Sequence, residues 1–429
     1  MAKFDDHPTV RAVRGRESLS HADAPLDAMW LRRLCLDAGA DDVGFVEIDR
    51  PALAEERRHI AAVFPETRTL VSILCRMNRE PVRRVQRSVA NAEFHHSGDR
   101  VNDAARRIVT SLEQLGVRAV NPPMAFPMEV DRWPDRTWLV SHKPVAIAAG
   151  LGMMGIHRNV IHPKFGNFIL LGTVLLEARI SEYSRPTSFN PCLECKLCVA
   201  ACPVGAIKPD GAFDLASCYT HNYREFMGGF GDWVEHVADA TDGHDLRRRV
   251  SPSEQVSIWQ SLAFGPNYKS GYCVSVCPAG EVVIGPYLAD RGKFLDDVVK
   301  PLQQNTEPVY VVPDSDAEEH VAKRFPHKRV RQVRGSLLSN TIPGFLSGIR
   351  ITFQRGQSVG LDAVYHFTFT GSESVQATVT IRDQTIRVED GLVGVADCAI
   401  IADAATWLGF LRKEKSIVWA IIRRKVRVR

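Results

Sequence analysis

Apolar and polar residues follow two periods along this chain. Trp30, Leu31, Leu34 and Cys35 recur at helical spacing across residues 29–38, and Gly39 ends the run. Residues 42–48 read as a strand, 54–64 as a helix and 69–74 as a short buried strand. Residues 102–115 form an amphipathic helix with Ile108, Leu112 and Leu115 on one side and Gly116 closing it; 117–120 follow as a strand. Helix and strand taking turns in this way predict an α/β domain.

The pattern then changes. Residues 144–172 are apolar and rich in glycine, and 191–286 carry most of the cysteines. An insertion at 230–260, acidic then basic, reads as a helical loop-out, and the charged stretch 314–334 reads as linker. Short alternating strands at 365–370, 375–381 and 385–388, turning at Gly371 and Asp383, precede helices at 404–411 and 416–423. They make a small α+β domain without a catalytic motif. The expected division is a flexible leader 1–27, an α/β domain 28–185, a cysteine-bearing domain 186–290, a linker 291–334 and a C-terminal domain 335–429.

A length of 429 residues suits about two to four domains. The 45% hydrophobic and 24% charged fractions are those of a soluble globular protein, and a net charge of +4 does not call for nucleic acid. Residues 1–27 show no apolar signal core and no twin arginine, and the apolar run 167–176 is too short for a bilayer. A cytoplasmic protein is expected. Seven of ten cysteines share one segment at cluster spacing, which favours a reducing compartment. Cys35, Cys75 and Cys398 sit in apolar contexts, as packed core thiols do.

Cys192, Cys195, Cys198 and Cys202, followed by Pro203, spell C-x2-C-x2-C-x3-C-P, the run of bacterial-type iron–sulfur proteins. Zinc and disulfides compete for clustered thiols, but structural zinc sites commonly use two separated Cys pairs. Electron transfer or reduction is therefore expected. Cys218, Cys273 and Cys277, the last followed by Pro278, bring the thiols to seven where two clusters ask for eight. Crossed ligation gives one 4Fe–4S cluster Cys192, Cys195, Cys198 and Cys277. The second takes Cys202, Cys273 and Cys218, with Ser270 where a fourth cysteine would fall. The second cluster is then 3Fe–4S, or 4Fe–4S with an oxygen ligand, or absent.

Residues 144–155 (Pro-Val-Ala-Ile-Ala-Ala-Gly-Leu-Gly-Met-Met-Gly), Asn159, residues 163–166 (Pro-Lys-Phe-Gly) and Leu171-Gly172 stand just ahead of the cysteines. With residues 40–44, Phe64-Pro65 and Met77-Asn78 they resemble the cobalamin-dependent epoxyqueuosine reductases and reductive dehalogenases over roughly residues 28–290. The resemblance implies a nitroreductase-like α/β domain holding base-off cobalamin beside a ferredoxin-like two-cluster insert. Gly150, Leu151, Gly152, Gly155, Asn159, Phe165 and Gly166 would line the corrinoid, since glycines let backbone approach a broad disc. A packed glycine-rich helix entry is the plainer reading. His142, His157 and His162 stand in no motif that the family uses for an axial ligand.

The sequence departs from the family at Phe94, where a tyrosine is expected. His95 or His96 is suited to proton transfer in its place, or is a solvent-exposed pair in a polar loop. Asp131, Asp135 and Arg136 are the remaining catalytic candidates, or members of structural ion pairs. Residues 379–388 and 396–403, with Trp407 and Leu411, make 335–429 similar to the sterol carrier protein type 2-like fold, an apolar tunnel for lipids; the alternative is a docking module. The basic tail 423–429 suits acidic lipid, a partner surface, solvent or an edge strand. The expectation is an oxidoreductase fed by a ferredoxin- or flavodoxin-type donor and acting on a small or lipid-like substrate, with nucleic acid unlikely and no membrane span. The alternative is an iron–sulfur electron-transfer protein without corrinoid.

Overall fold

The computed structural model of the protein describes residues 6–14, 24–133, 137–334, 339–412 and 414–429. Strands β1 (Asp42–Glu47), β2 (Thr69–Arg76), β3 (Ala119–Val120), β4 (Met153–Met154), β5 (Val160–Ile161) and β6 (Ile169–Leu176) come first. Among the described residues β1, β2, β6 and β3 form one sheet in the order β1-β2-β6-β3, antiparallel at every pairing, and β4–β5 form a small hairpin. Here the Ala54–Val63 helix returns the chain beside β1 in the opposite sense. The inner strands β2 and β6 are covered on both faces, which is why they read as near-continuous apolar runs.

The Arg87–Gln114 helix covers one face, where Ile108 and Leu112 pack with Leu31, Val71 and Val174. The Ala54–Val63 and His142–Ala148 helices cover the other through Ile60, Val145 and Ala148. Two strand glycines let the layers approach. A Cβ on Gly172 would stand 2.7 Å from the Val101 side chain, and one on Gly44 2.1 Å from the Ala149 carbonyl oxygen.

The long helix starts at Arg87 rather than at Asn102. Its first half buries Ala90, Asn91, Ser97 and Gly98, which are small or polar and leave no apolar stripe to read. Phe94, His95 and His96 consequently lie on a helix, not in a polar loop.

Beyond β6 come the cysteine-bearing helices Leu197–Ala201, Leu215–Asn222 and Tyr272–Ser275. The insertion folds as helices Gly229–Asp239, Gly243–Arg249 and Pro252–Phe264. The expected linker 291–334 is folded. It carries helical turns from Arg291 to Gln304, then β7 (Pro308–Val311), the Asp316–Arg324 helix and β8 (Arg329–Gln332), with β7 and β8 parallel. Val309, Val311, Ala317, Val321 and Phe325 share a core with Cys198, Cys202 and Val276. The charges that suggested a linker occupy the outer helix face, at Glu319, Lys323 and Arg324. The leader likewise contains a helix, Pro8–Arg14, and Leu26 bridges to Ile180.

In the C-terminal region, β9 (Ala363–Thr370), β10 (Val375–Arg382), β11 (Thr385–Asp390), β12 (Cys398–Asp403) and β13 (Val426–Val428) form a sheet in the order β11-β10-β9-β12-β13. Only β9–β12 is parallel. The Ile342–Thr352 helix, not read from the sequence, packs on it through Phe345. The Phe345 ring lies 6.2 Å from Phe367, 6.1 Å from Phe369 and 5.7 Å from Trp407. No helix among the described residues is long and apolar enough to cross a membrane.

Candidate functional site

The cysteine run is curled by two non-glycine residues at positive φ, Glu194 (50°) and Lys196 (60°), a strained conformation that concentrates at functional sites. The thiols fall into two groups by whose charge each feels. Cys277 feels Cys195 and Cys192, and Cys198 feels Cys277 and Cys195. Cys218 feels Cys202 and Cys273. The groups run together at Cys273, whose charge is the first that Cys198 feels, ahead of Cys277 and Cys195, and which Cys277 also feels.

Burial pushes the Cys277 thiol up to about 12 and Cys273 up to about 11, and holds Cys198, Cys202 and Cys218 above the usual thiol range. Such thiols lose their protons when a metal takes their place. Among the described residues no three His, Cys, Asp or Glu side chains converge closely enough to hold one metal ion. Mononuclear zinc needs ligand atoms about 2–2.3 Å from the ion. A cubane is a larger body that keeps its thiolates apart.

Each group has a cation beside it. The Arg83 guanidinium lies 5.3 Å from the ring centroids of both Phe168 and Phe294 and feels the charge of Cys277. Its buried Nη2 has no hydrogen-bond partner. A desolvated donor without an acceptor, near Cys277, fits an anionic cluster there, because such a donor is costly when left alone. At the second group stands Lys143. Burial lowers its pKa while the Cys273 and Cys218 charges raise it, so its ammonium is crowded by protein even though the residue as a whole is exposed. Lys143 Nζ donates to the Arg158 carbonyl (2.6 Å) and to Asn159 Oδ1 (3.0 Å). Asn159 Nδ2 in turn lies 3.9 Å from Cys273 Sγ. Asn159, expected against a corrinoid, therefore serves the second thiol group. Neither Arg83 nor Lys143 carried a sequence signal.

The glycine expectation needs correction. A Cβ on Gly150 would meet the Arg185 carbonyl oxygen at 2.3 Å, on Gly152 that of Ile161 at 2.2 Å, on Gly155 the His157 ring at 2.8 Å, and on Gly166 the Ala279 carbonyl oxygen at 2.0 Å. The space these glycines leave open is filled by the protein itself. Leu151 and Phe165 are buried in the domain core. On their Cβ side these glycines are closed by protein, so a side chain at Gly152 would disturb the β4–β5 packing itself.

The three histidines nearby have both ring nitrogens engaged. His142 contacts Thr173 Oγ1 (2.9 Å) and the Pro123 carbonyl (3.0 Å). His157 Nδ1 accepts from the Asn159 amide and Nε2 meets Asn167. His162 Nε2 meets Asp42 while Nδ1 accepts from the Lys164 and Phe165 amides. Ser270, considered as an oxygen ligand, donates its hydroxyl to Asn222 Oδ1 at 3.1 Å instead.

Next to the second group lies a cavity of about 320 Å³ walled by Phe94, His95, Phe126, Phe226, Phe230 and Tyr268. Phe226 stacks on Phe126, and its ring centroid lies 4.5 Å from that of Tyr268. His95 Nε2 is 2.9 Å from the Pro266 carbonyl oxygen. The insertion contributes Ile258 and Leu262 to the lining. It is tied down by Glu225, whose carboxylate accepts from Ser257 (2.6 Å) and Asn267 (3.0 Å) and pairs with Lys269. The Tyr268 ring lies 5.1 Å from Phe94, so a phenol stands beside the position where the family's tyrosine is replaced. Burial raises it to about 12. Tyr223, edge-on to Tyr268 at 5.6 Å, feels the charges of Cys218 and Cys273 and so spans thiol group and cavity.

Of the remaining catalytic candidates, His96 and Asp131 are exposed and no part of this cavity, while Asp135 and Arg136 lie outside the described residues. Cys35 and Cys75 are fully buried core thiols; Cys398 is only half-buried, on β12.

No protein-family profile matches the chain. Among curated proteins it is 30% identical over 136 residues to the epoxyqueuosine reductase of Synechococcus sp. (strain CC9605), covering 30% of this chain and 37% of that one. It is 26% identical over 238 residues to the epoxyqueuosine reductase of Listeria monocytogenes serovar 1/2a, covering 51% and 59%. Over part of its length the chain is thus similar to the epoxyqueuosine reductases. It spans less than two thirds of the length of either. Among solved structures, epoxyqueuosine reductase from Streptococcus thermophilus aligns over 63% of this chain and 75% of its own at 14% identity and a TM-score of 0.35. An epoxyqueuosine reductase with an epoxyqueuosine-modified tRNA-Tyr stem loop aligns over 45% and 56% at 16% and 0.29. The UbiJ-SCP2 ubiquinone synthesis protein aligns over 20% and 83% at 21% and 0.17.

Proposed function

We propose that the protein is a cytoplasmic iron–sulfur oxidoreductase that passes electrons from a ferredoxin- or flavodoxin-type donor to a substrate held in the aromatic cavity. In this reading Cys192, Cys195, Cys198 and Cys277 hold one 4Fe–4S cluster, and Cys202, Cys218 and Cys273 a second, 3Fe–4S or 4Fe–4S, in a ferredoxin-like insert on a nitroreductase-like layer. Bound clusters supply one-electron steps. The observation that carries the proposal is that the cavity wall adjoins the second thiol group: Phe94 packs in one apolar cluster with Cys273, and Tyr223 stands edge-on to Tyr268 at 5.6 Å. Tyr268, in the cavity wall, is held protonated by burial, so it keeps a proton at its Oη to donate to a reduced substrate. His95 orients from the wall.

A cavity of about 320 Å³ admits one ring system or a short lipid-like group. A small or lipid-like substrate is the reading that this volume favours. A second reading is a modified tRNA base turned out of its loop, favoured by the names of the curated relatives and by one solved structure's tRNA stem loop. No step is assigned to cobalamin, because the residues expected to face it are packed against protein.

The test is anaerobic purification with iron, sulfide and absorption measurements, followed by titration with cob(II)alamin and turnover assays on tRNA and on small epoxides and halides. Cluster absorbance bleached by dithionite, with reduction of one substrate class, supports the proposal. A cobalamin spectral change restores the corrinoid reading. Zinc in place of iron, or clusters that reduce partner proteins but no substrate, would overturn it.

A further inference from the structure

The short helix Ile417–Ile422 buries only Ala420 fully. Val418, Trp419, Ile421 and Ile422 are 61%, 60%, 47% and 61% exposed, and Val428 on β13 is 58% exposed. A large apolar cluster facing water marks an interaction surface. Directly after the helix come Arg423, Arg424, Lys425, Arg427 and Arg429, all exposed. Strand alternation from Lys425 puts Lys425, Arg427 and Arg429 on one side of edge strand β13 while Val426 is buried. Arg423 lies over the Trp419 ring at 5.9 Å. The exposed apolar helix and the cationic edge strand β13 are thus neighbours in the C-terminal α+β region, joined by Arg423 over Trp419.

We propose that this patch docks the protein on an anionic lipid surface. Phosphates alone would be served by the arginines, and four exposed aliphatic and aromatic side chains would add nothing. A protein partner of acidic character would be served by the charges but not by a tryptophan flanked by cations. Insertion of Val418, Trp419, Ile421 and Ile422 to the depth of the headgroups, with arginines against lipid phosphates, uses both halves of the patch. The patch is independent of the cysteine and cavity residues, so its fate is separable from that of the proposed reductase activity.

The experiment is co-sedimentation of the whole chain with vesicles of phosphatidylcholine and phosphatidylglycerol at 3:1, against pure phosphatidylcholine. Binding to the anionic vesicles is expected to be about tenfold or more tighter, and to weaken in 0.5 M NaCl. Ile421→Ser with Ile422→Ser, and separately Arg427→Glu with Arg429→Glu, should each lower it about tenfold while iron content and thermal unfolding stay unchanged. Should either pair lower the melting temperature, Val418→Ser alone, at an equally exposed position, takes its place. Absence of binding to anionic vesicles overturns the proposal. So does tighter capture of an RNA hairpin that the Ile421→Ser, Ile422→Ser variant retains, or a lipid-free dimer that this variant abolishes.

Discussion

The two thiol groups differ in what surrounds them. The first has four cysteines and a guanidinium between Phe168 and Phe294. The second has three cysteines, an ammonium held by Asn159, and Tyr223 beside the aromatic cavity's Tyr268. In the proposed reading the first holds a complete cluster that accepts an electron from outside, and the second is tuned by its neighbours and hands electrons on. Polar contacts and nearby charge set cluster potential as much as the ligands do.

The largest effect that would break this comparison is ligand removal. Cys277→Ala should cost the same share of iron as Cys195→Ala, about half, because both are assigned to the first group although 82 residues separate them (277 − 195). Cys273→Ala should remove the other share and spare the first. Equal loss of both clusters in every variant, by iron analysis and EPR, would erase the distinction.

Next comes Gly166→Ala. Its φ of +66° and the Ala279 carbonyl 2.0 Å from the Cβ position oppose any side chain, and Ala279 follows Cys277-Pro278. We expect a stability loss above about 2 kcal/mol with preferential loss of the first cluster. Unchanged thermal unfolding would show that the loop gives way freely.

Lys143→Met removes the cation of the second group. The potential of that cluster should fall by tens of millivolts, on the order of one unit of local charge in a partly buried setting, while the first cluster's stays. Redox titration followed by EPR measures both. Equal shifts would mean that Lys143 acts through the fold.

Acid should act on the same side. Burial, with Lys143 next, pushes His157 down to about 4 from its ordinary 6.5. The unfolded chain then binds more protons between these values, so stability is full above pH 6.5 and is lost as pH falls toward 4. His157→Gln should flatten that limb of the unfolding profile, and an unaltered limb would assign it to other groups such as His221, pushed down to about 3.

The smallest change should be Ser270→Cys. The hydroxyl faces Asn222, so a thiol there gains no iron and loses a hydrogen bond, about 1 kcal/mol. Conversion of a 3Fe–4S signal to an ordinary 4Fe–4S cluster would show that this turn can swing toward the thiols.

Local spacing fixed much of this. The run Cys192 to Cys202 points to iron–sulfur chemistry because three thiols at that spacing suit one cluster and the fourth, before Pro203, suits a second, and period-two and period-3.6 patterns placed β1, β2 and the helices around them. The half of the Arg87–Gln114 helix that bears His95 stayed hidden because small and polar side chains are buried there, and the 291–334 segment looked like linker because its charges outnumber its few buried contacts. The function of the glycines also escaped the sequence. Glycine content reports that something comes close, and only the packed chain shows that it is carbonyl oxygens of Ile161, Arg185 and Ala279. Arg83, Lys143, Tyr223 and Tyr268 carry no motif at all. Their part in the site rests on distances between segments far apart in the chain, which only tertiary packing sets.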